Sequence, residues 1–501
     1  MSNKTRLFAP PPDAEAQWRR FEQIVQDEAR DFFDGVGPVA GARAPGRLDV
    51  MGGVADYSGS LVLEMPIAEA AFVAWQWRED RALRIRSLGL EAEGLTPDVT
   101  LSLDALVDEQ GRVRPVEEVR ERLSGDPKTL WVRYVAGCFY IMLKAYSRVS
   151  QGRADARLGE QGANILLYSD VPLGAGVSSS AAIEVATMHA LSEAAGIHPS
   201  DLTLAAWCQR VENQIVGAPC GIMDQVTTAM GRENALIVLK CQPHDVLGSQ
   251  RVPPGWRFLG LDSRVKHSVG GAHYTKARVG AFMGLKIIQL ESGGKLLDNY
   301  LCNMEPAEFA QYRELIPETL IGHDYQEQYG RLPDTVTRVD PQETYHPRAC
   351  AEHPILENDR AREFVALMHI ASLRHEERGE RQAQTQEPTP DAHLMIEAGR
   401  LMYESHASYS ERLDLGAPET DLLVELIKAR GPERGLYGAR ITGGGSGGTV
   451  AVLCADDSPD AEAALREVCA EYERTIGRAP RPIVGSSPGA IMFGARQITR
   501  G

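Results

Sequence analysis

Apolar residues recur at helical spacing near the start of the chain and then give way to strand-like runs. The segment AEAQWRRFEQIVQDEARDFF, residues 14–33, places apolar side chains three and four positions apart, which predicts a helix. Glycine and proline in DGVGPVAGARAPGR, residues 34–47, break that helical pattern. The segment LVLEMPIAEAAFVAWQW, residues 61–77, is rich in valine and aromatic residues and predicts a strand.

The middle of the chain contains the clearest local unit. In GANILLYSDVPLGAGVSSSAAIEVATMHALSEAAG, residues 162–196, the pattern predicts a strand, a glycine loop and a helix that ends at glycine. Residues 199–217 repeat the helical spacing, and residues 235–241 and 257–263 predict two further strands. In GARITGGGSGGTVAVLC, residues 438–454, a glycine run precedes another strand.

Two other stretches bear on the organisation of the chain. The segment VPPGW, residues 252–256, predicts a domain boundary near residue 255. The charged run RHEERGERQAQTQEPTPDAH, residues 374–393, predicts a solvated loop. No internal repeat has the period of a solenoid.

Composition narrows the function classes. The chain has 501 residues, of which 43% are hydrophobic and 24% charged, as expected of a globular protein with two or more domains. Its net charge of -16 argues against a general nucleic-acid or anionic-membrane binder, because both need a basic face. We therefore expect neither partner, although a locally positive site can still bind an anionic substrate.

The chain carries no recognisable targeting or disulfide pattern. The N-terminal residues lack the apolar core of a signal peptide and no later run approaches a membrane span, so we expect a cytoplasmic protein. Eight cysteines occur without CxxC pairs, which is typical of reduced thiols. His346, Cys350 and His353 are metal-ligand types, but their spacing matches no standard zinc pattern, so we do not expect a metal there.

The stretch APGRLDVMGGVADYSGS, residues 44–60, places charged side chains among glycines and small apolar residues. Glycine lets a backbone turn tightly or approach a ligand closely, and a charged side chain beside it can be directed at that ligand. Arg47, Asp49 and Asp56 are therefore candidate binding residues. On this stretch alone, a polar surface turn with an incidental ion pair is the favoured interpretation.

The loop PLGAGVSSSAAIEVA, residues 172–186, has the composition of an anion cradle. Its glycines and three serines precede a predicted helix, whose first amide groups have no partner within the helix and can hold phosphate oxygens. The simpler interpretation is that the serines only cap the helix. The P-loop pattern fails because no lysine follows, and the dinucleotide fingerprint fails because Ser179 stands where glycine is needed.

A hydrolase-like pattern occurs near the C-terminus. Gly444, Ser446 and Gly448 form GxSxG, but a nucleophile elbow must lead into a helix, and the residues after this loop predict a strand. We therefore set aside a serine hydrolase.

Two carboxylates are candidates for phosphoryl-transfer chemistry. Asp224 in GAPCGIMDQ has a glycine-flanked, largely apolar setting, where a carboxylate needs a partner or a ligand, and it could accept a proton from a hydroxyl. Glu212 lies twelve positions earlier and, with a serine hydroxyl, could bind magnesium. A helix cap for Asp224 and an exposed helix charge for Glu212 remain the alternatives.

Three separated blocks, APGRLDVMGGVADYSG, PLGAGVSSSAAIEVA and ARITGGGSGGTVAVL, resemble in order the three motifs of the GHMP small-molecule kinases. GAPCGIMDQ supports the galactokinase branch, and LDSRVKHSVGGAHYTKARVGAFMG with GRLMYESHASYSERLDLGAPETDLLVELI is similar to the L-arabinokinase type within it. The resemblance implies an α+β fold of two domains with the active site between them. Residues 1–255 would carry the sugar and ATP loops, and residues 256–501 would include an insertion near 300–360.

The resemblance also implies roles for individual residues. Asp224 would be the catalytic carboxylate, and Arg47 would pair with it and hold the anomeric oxygen and the phosphoryl group. Ser180 and Glu212 would hold Mg²⁺, and Asp56, Gly221 and Tyr274 would line the sugar pocket. ATP would be bound by the two glycine loops, which comprise Leu173, Gly174, Ala175, Gly176, Val177, Ser178, Ser179 and Ser180, and Gly443, Gly444, Gly445, Ser446 and Gly447.

One departure from the galactokinase motif bears on the substrate. Galactokinases have GRVNLIGEHTDY where this chain has GRLDVMGGVADY, so Gly53 and Val54 replace a glutamate and a histidine that lie toward the C6 hydroxymethyl group of galactose. L-Arabinopyranose has the ring stereochemistry of galactose without that group. The resemblance therefore implies an ATP-dependent sugar 1-kinase that forms L-arabinose 1-phosphate. A galactokinase or related sugar 1-kinase, and a sugar- and ATP-sensing protein without turnover, are the alternatives.

Overall fold

The computed structural model describes residues 8–9, 11–149, 157–265, 272–294, 298–379 and 391–499. Fourteen strands lie in this part of the chain, numbered in chain order: β1 Val36–Met51, β2 Leu61–Trp77, β3 Ala82–Ser87, β4 Asp98–Ser102, β5 Ala163–Ser169, β6 Ala235–Lys240, β7 Asp245–Arg251, β8 Trp256–Asp262, β9 Leu320–Ile321, β10 Thr344–Tyr345, β11 Leu436–Ile441, β12 Thr449–Ala455, β13 Arg481–Ile483 and β14 Arg496–Ile498.

Fourteen α-helices lie in the same part of the chain: α1 Ala14–Asp27, α2 Val116–Arg122, α3 Val132–Val149, α4 Ser179–Ala195, α5 Asp201–Arg210, α6 Met223–Met230, α7 Ala272–Glu291, α8 Pro306–Phe309, α9 Gly322–Tyr329, α10 Pro347–Gly379, α11 Ala392–Leu413, α12 Pro418–Arg430, α13 Pro459–Ile476 and α14 Ala490–Phe493. The predicted strand over residues 61–77 and the predicted strand, loop and helix over 162–196 are confirmed.

An eight-stranded sheet forms the first half of the molecule. Its order is β14-β1-β2-β5-β3-β4, and β6 and β7 extend it beside β2; only the β3–β5 pair is parallel. Alternate side chains of β2 enter two different cores, with Phe72 packing beside Trp18 of α1 and Trp75 stacking on Phe139 of α3. Because helices cover both faces, the strand is apolar along almost its whole length.

A four-stranded antiparallel sheet, β11-β12-β8-β13, forms the second half. Val450 and Val452 of β12 pack in one core with α12 and α13. Ala451 and Leu453 face the opposite way, into a core shared with α10 and α11. This alternation is the pattern expected of a strand that is covered on both faces.

The chain passes from the first sheet to the second between β7 and β8. Strand β7 ends at Arg251 and β8 begins at Trp256, on either side of residue 255. The C-terminal end of residues 256–501 returns to the first half, because β14 pairs with β1 of the first sheet and α14 packs against α6. The region of the predicted insertion, 300–360, consists of short helices and two-residue strands followed by the start of α10.

The predicted break in the helical pattern over residues 34–47 is confirmed, because α1 ends at Asp27, but these residues lie largely in β1, which was not predicted. Glycine there allows close packing: a Cβ on Gly41 would lie 2.7 Å from the Trp18 ring. One local prediction is wrong. The charged run 374–393 is not a loop throughout, because residues 374–379 continue α10 and residues 392–393 begin α11; its residues 380–390 lie outside the described part. Arginine and glutamate are good helix formers, so a solvated run of them can extend a helix.

Within the described ranges, none of the helices combines the length and the apolar character needed to cross a membrane.

Candidate active site

Three segments that are far apart in the sequence meet where the two sheets adjoin: β1, the loop before α4, and the loop between β11 and β12. Arg47 of β1 donates its backbone N–H to the carbonyl of Val177 (3.1 Å) and its Nη1 to the carbonyl of Gly176 (2.8 Å). Thr449, at the start of β12, donates its hydroxyl to the carbonyl of Ala175 (2.7 Å). The structure therefore brings together the three motifs that the sequence analysis singled out.

Arg47 lies between two carboxylates at this junction. Its Nε and Nη2 donate to Asp224 Oδ1 (3.0 and 2.8 Å), and Nε also lies 2.7 Å from Glu64 Oε1. The guanidinium is almost fully buried, whereas 21% of the Asp224 side chain remains exposed. Burial works against the charged form of Arg47, but Asp224, Glu64 and Asp49 outweigh it and raise its pKa. Arg47 is thus a permanent cation beside a carboxylate that a ligand can reach.

The second oxygen of Asp224 is also held. Ser178 donates its hydroxyl to Oδ2 of Asp224 (2.5 Å). Ser178 is the N-cap residue of α4 and has a left-handed backbone, with φ of 56°, but its side chain does not cap the helix. Asp224 lies in the first turn of α6. Its side chain is therefore oriented by three elements: α6 itself, strand β1 through Arg47, and the loop before α4 through Ser178. Short hydrogen bonds to an ionised acceptor are stronger than neutral ones.

The loop before α4 has the features of an anion cradle. Gly174 and Gly176 have φ of 71° and 73°, a conformation that glycine adopts without strain. No side-chain cap from Ser178 occupies the first-turn amides of α4, and the hydroxyl of Ser179 is buried without a partner among the described residues. Leu173 is half-buried and Gly174 exposed, so the loop is open at one end. Uncapped amides and the positive end of a helix dipole suit phosphate oxygens.

The loop between β11 and β12 packs directly on this cradle. A Cβ on Gly443 would lie 2.7 Å from the carbonyl oxygen of Gly176, so only glycine allows the contact. Gly445, Ser446 and Gly447 also have positive φ, and Gly444 is half-buried. The loop leads into strand β12, not a helix, so Ser446 is not a hydrolase nucleophile. The two loops together form the walls expected around a triphosphate.

Ser180 and Glu212 lie together at the other side of the cradle. Glu212 sits in a π-helical turn, Val211–Val216, and accepts hydrogen bonds from Gln225 Nε2 (2.8 Å), Cys220 Sγ (3.6 Å) and the Ser180 hydroxyl. Burial and the charge of Asp224 raise the pKa of Glu212 to about 7. One carboxylate and one hydroxyl beside a phosphate cradle are the hard oxygen donors that Mg²⁺ prefers, so these residues fit the ion. When bound, Mg²⁺ would neutralise charge on the phosphate oxygens.

Elsewhere, the described residues contain no cluster of three histidine, cysteine or acidic side chains that could hold a metal. His346 is exposed, and Cys350 packs against Gly280. His353 is buried, with Nδ1 2.8 Å from the Ser408 hydroxyl and Nε2 3.3 Å from the Gly53 carbonyl. Burial lowers the pKa of His353 to about 4, so it is a neutral, structural side chain.

Asp56, Gly221 and Tyr274 meet beside Asp224. Asp56 lies in a 3₁₀ turn, Asp56–Ser58, and is 5% exposed. A Cβ on Gly221 would lie only 1.5 Å from Asp56 Oδ2, so the carboxylate rests directly on the glycine backbone. Tyr274 of α7 packs edge-on against Tyr57 with 6.0 Å between ring centroids. These three residues form a polar cluster next to the Arg47–Asp224 pair, and we call it the sugar pocket after the role that the sequence analysis predicted for it.

Gly221→Ala is expected to disrupt this pocket selectively. The added methyl group takes the space of Asp56 Oδ2, so the carboxylate must move and its hydrogen bonds to a sugar are lost. A hydrogen bond to a charged group contributes about 1.5–3 kcal/mol, so the Kd of the sugar should rise roughly 10- to 150-fold. Calorimetry with the sugar and with Mg·ATP would measure both affinities. Equal weakening of the two would contradict a role confined to the sugar.

Sugar binding is also expected to weaken in mild acid. Burial and the charge of Asp224 raise the pKa of Asp56 to about 6, despite the opposing charge of Arg278. The ionised carboxylate accepts stronger hydrogen bonds than the neutral acid, so the affinity should level off well above pH 6 and fall as the pH drops through 6. Titrations of the sugar without nucleotide, from pH 5 to 8, would test this sign. Asp56→Asn should bind weakly at every pH, and a wild-type affinity that rises in acid would exclude this role for Asp56.

Sequence analysis missed a second set of buried charges behind the site. Asp49 and Arg440 are both fully buried and pair through Oδ1 and Nη1 (2.9 Å), while Asp49 Oδ2 accepts the N–H of Gly443 (3.3 Å). Glu64, the second carboxylate on Arg47, was also missed. The sequence feature that could have revealed Glu64 is that it is the single acid in the apolar run LVLEMPI. Asp49 was noted as a candidate ligand group, but its partner Arg440 lies 391 positions away.

At the two positions that depart from the galactokinase motif, Gly53 and Val54, the surrounding space is occupied by other side chains of the protein. A Cβ on Gly53 would lie 1.8 Å from Asp49 Oδ2 and 2.4 Å from the hydroxyl of Tyr409, so no side chain fits there. Val54 is 1% exposed and packs in an apolar core, with a positive φ of 55° that is unusual for a β-branched residue. Neither position presents a polar group to the sugar pocket.

Comparison with known proteins gives matches along the chain. Residues 134–232 match the GHMP kinases N terminal domain, and residues 391–474 match the GHMP kinases C terminal family. An L-arabinokinase from Arabidopsis thaliana is 38% identical over 92% of this chain. This chain spans only 47% of that protein's length. A galactokinase from Chloroflexus aggregans is 28% identical over 93% of this chain and 96% of its own length.

Among solved structures, a Lactococcus lactis galactokinase complexed with galactose superimposes with a TM-score of 0.70. It is 20% identical, and the match covers 95% of this chain and 99% of that one. This similarity concerns the fold alone and confirms the expected α+β architecture of two domains. The two family segments, the relatives and the shared fold agree with the three motifs that meet at Arg47, and the chain belongs to the GHMP kinases.

Proposed function

We propose that this protein is an ATP-dependent sugar 1-kinase. The observation that carries the proposal is the Arg47–Asp224 pair, which joins the glycine cradle to the sugar pocket. A reacting hydroxyl bound at Asp224 would lie beside both the cation and the loop that cradles phosphate. Similarity to a curated L-arabinokinase and to several galactokinases supports this assignment.

The reaction needs a positioned hydroxyl, a proton acceptor and charge neutralisation. Asp224, held by Arg47 and Ser178, would orient the anomeric hydroxyl and accept its proton as the anomeric oxygen forms a bond to the γ-phosphorus. The bond from that phosphorus to the β–γ bridging oxygen breaks, and ADP leaves with the electron pair. Arg47 and the amides of the two loops would stabilise the charge on the transferring group.

We propose L-arabinose as the preferred substrate. Asp49 and Tyr409 occupy the space that a side chain at Gly53 would need, and Val54 is apolar, so these positions provide no hydrogen bond for a C6 hydroxyl. A sugar that carries this hydroxyl would lose its water without a replacement partner, and such unpaired groups reduce affinity. The retained Asp56, Gly221 and Tyr274 suit the ring hydroxyls that arabinose and galactose share.

The test is a comparison of kcat/KM for L-arabinose, D-galactose and D-galacturonate at saturating Mg·ATP. A value for L-arabinose at least about tenfold above that for galactose, corresponding to one lost hydrogen bond, is expected. Equal or higher kcat/KM for galactose would overturn the arabinose assignment and leave a galactokinase. Binding of sugar and ATP without ADP release would overturn the kinase and leave a sensing protein.

A further inference from the structure

Arg278 of α7 lies one helical turn after Tyr274 and is 5% exposed. Its Nε and Nη2 donate to the two carboxylate oxygens of Asp334 (2.9 and 3.1 Å). The guanidinium also lies over the ring of Tyr57, 5.2 Å from its centroid. Arg278 is therefore fixed against the turn that carries Asp56.

Asp334 belongs to the predicted insertion, residues 300–360, and is itself held firmly. It accepts hydrogen bonds from the hydroxyl of Thr337 (2.5 Å) and from the backbone N–H groups of Thr337 and Val336 (3.1 and 3.0 Å). Only 4% of its side chain is exposed. Burial opposes ionisation, but Arg278 and these donors outweigh it and lower the pKa of Asp334. The insertion thus provides a firmly held carboxylate that pairs with Nε and Nη2 of Arg278.

The third nitrogen of the Arg278 guanidinium, Nη1, has no hydrogen-bond partner in the described part of the chain. Arg278 Nη1 and the Tyr57 hydroxyl are both buried and unpaired there. Arg278 and Asp56 are close enough for each to shift the other's pKa, yet no hydrogen bond between described residues joins them. A buried donor left unpaired lowers stability, and such groups usually serve a ligand or bound water.

We infer that Arg278 is a sugar-binding residue, whose Nη1 donates to a ring hydroxyl that in turn donates to Asp56. A hydroxyl group is both donor and acceptor, so it fits between a cationic donor and a carboxylate. Asp334 acts as a positioning residue that keeps Nη1 directed away from itself. The insertion then contributes to sugar affinity through this ion pair. The inference rests on the proposed sugar kinase function and adds a contact to its substrate site.

The test uses the whole 501-residue chain with L-arabinose and its 2-, 3- and 4-deoxy analogues. Arg278→Met should raise the Kd of L-arabinose roughly 10- to 150-fold and leave the Kd of Mg·ATP unchanged. For the one analogue that lacks the contacted hydroxyl, wild type and variant should bind equally. If Arg278→Met raised the Kd of L-arabinose and of every deoxy analogue by the same factor, the direct contact would be overturned.

Asp334→Asn provides a second test if Arg278→Met does not fold. It should raise the sugar KM with little change in kcat, and Asp334→Glu should restore part of the affinity. The matched control is Glu352→Gln, which removes the acceptor of Arg313 and Arg412 elsewhere in the same region. Equal sugar KM in Asp334→Asn and the control would overturn the positioning role.

The two proposals fail in different ways. A wild-type protein that binds no sugar would overturn the sugar kinase and this inference together. A wild-type protein that phosphorylates sugar, with both variants at wild-type affinity, would overturn the inference alone.

Discussion

Asp224→Asn is expected to reduce turnover about 10²- to 10⁴-fold, the usual contribution of a positioned proton acceptor, while sugar and nucleotide still bind. The substitution keeps the shape of the side chain and an oxygen for Arg47, so the local packing should survive. It removes the negative charge and the ability to take a proton. Arg47 retains its contact with Glu64 Oε1 (2.7 Å), which should protect the fold.

The measurement is kcat for ADP release at saturating sugar and Mg·ATP, together with calorimetric affinities for both ligands. The control is Asp56→Asn, which changes a second carboxylate of the site, 5% exposed, and should raise the sugar Kd instead of acting mainly on kcat. Near-normal kcat in Asp224→Asn would remove Asp224 from its assigned role. Loss of binding with loss of turnover would assign it to ligand binding alone.

Arg440→Met is expected to lower the free energy of unfolding by about 3–5 kcal/mol, because it leaves the buried carboxylate of Asp49 without its cation. Arg440 also donates to the carbonyl of Asp49 (3.2 Å) and lies 5.0 Å from the centre of the Tyr409 ring. Asp49 in turn accepts from the N–H of Gly443, so its displacement should loosen the loop and raise the KM for ATP.

Thermal unfolding of wild type, Arg440→Met and the double variant Asp49→Leu/Arg440→Met would test this network. The double variant should recover part of the lost Tm, because an apolar pair can replace a buried ion pair. Arg466→Met, which breaks the exposed pair with Glu462, should change Tm far less. A similar Tm for Arg440→Met and Arg466→Met would show that the buried pair does not stabilise the fold.

Local patterns predicted those parts of the site that depend on local backbone. The glycines of residues 173–180 and 443–447 mark loops with positive φ, and Asp224 stands at the start of a short helix, so both are visible in the sequence. The position of β1 was not visible in the sequence, because its glycines allow close packing against residues such as Trp18 and do not form a turn. Composition alone does not distinguish these two uses of glycine.

Long-range pairs account for most of what remained hidden. Arg278 and Asp334 are 56 positions apart, and Asp49 and Arg440 are 391 apart, so no periodicity links their members. Each pair forms only when helices and sheets have packed. The isolated acid at Glu64 was a usable signal, since a charge in a buried strand needs a partner. The family resemblance, not local pattern, is the basis for our proposal of which carboxylate binds the sugar.

The most direct single measurement is ADP release from Mg·ATP by the purified protein with a panel of free sugars, with the phosphorylated carbon identified by NMR. We expect ADP release with L-arabinose and phosphate on its C1, because Asp224 and Arg47 are the groups placed to act on the anomeric hydroxyl. Phosphate on another carbon, or ATP binding without ADP release for any sugar, would contradict the proposed sugar 1-kinase.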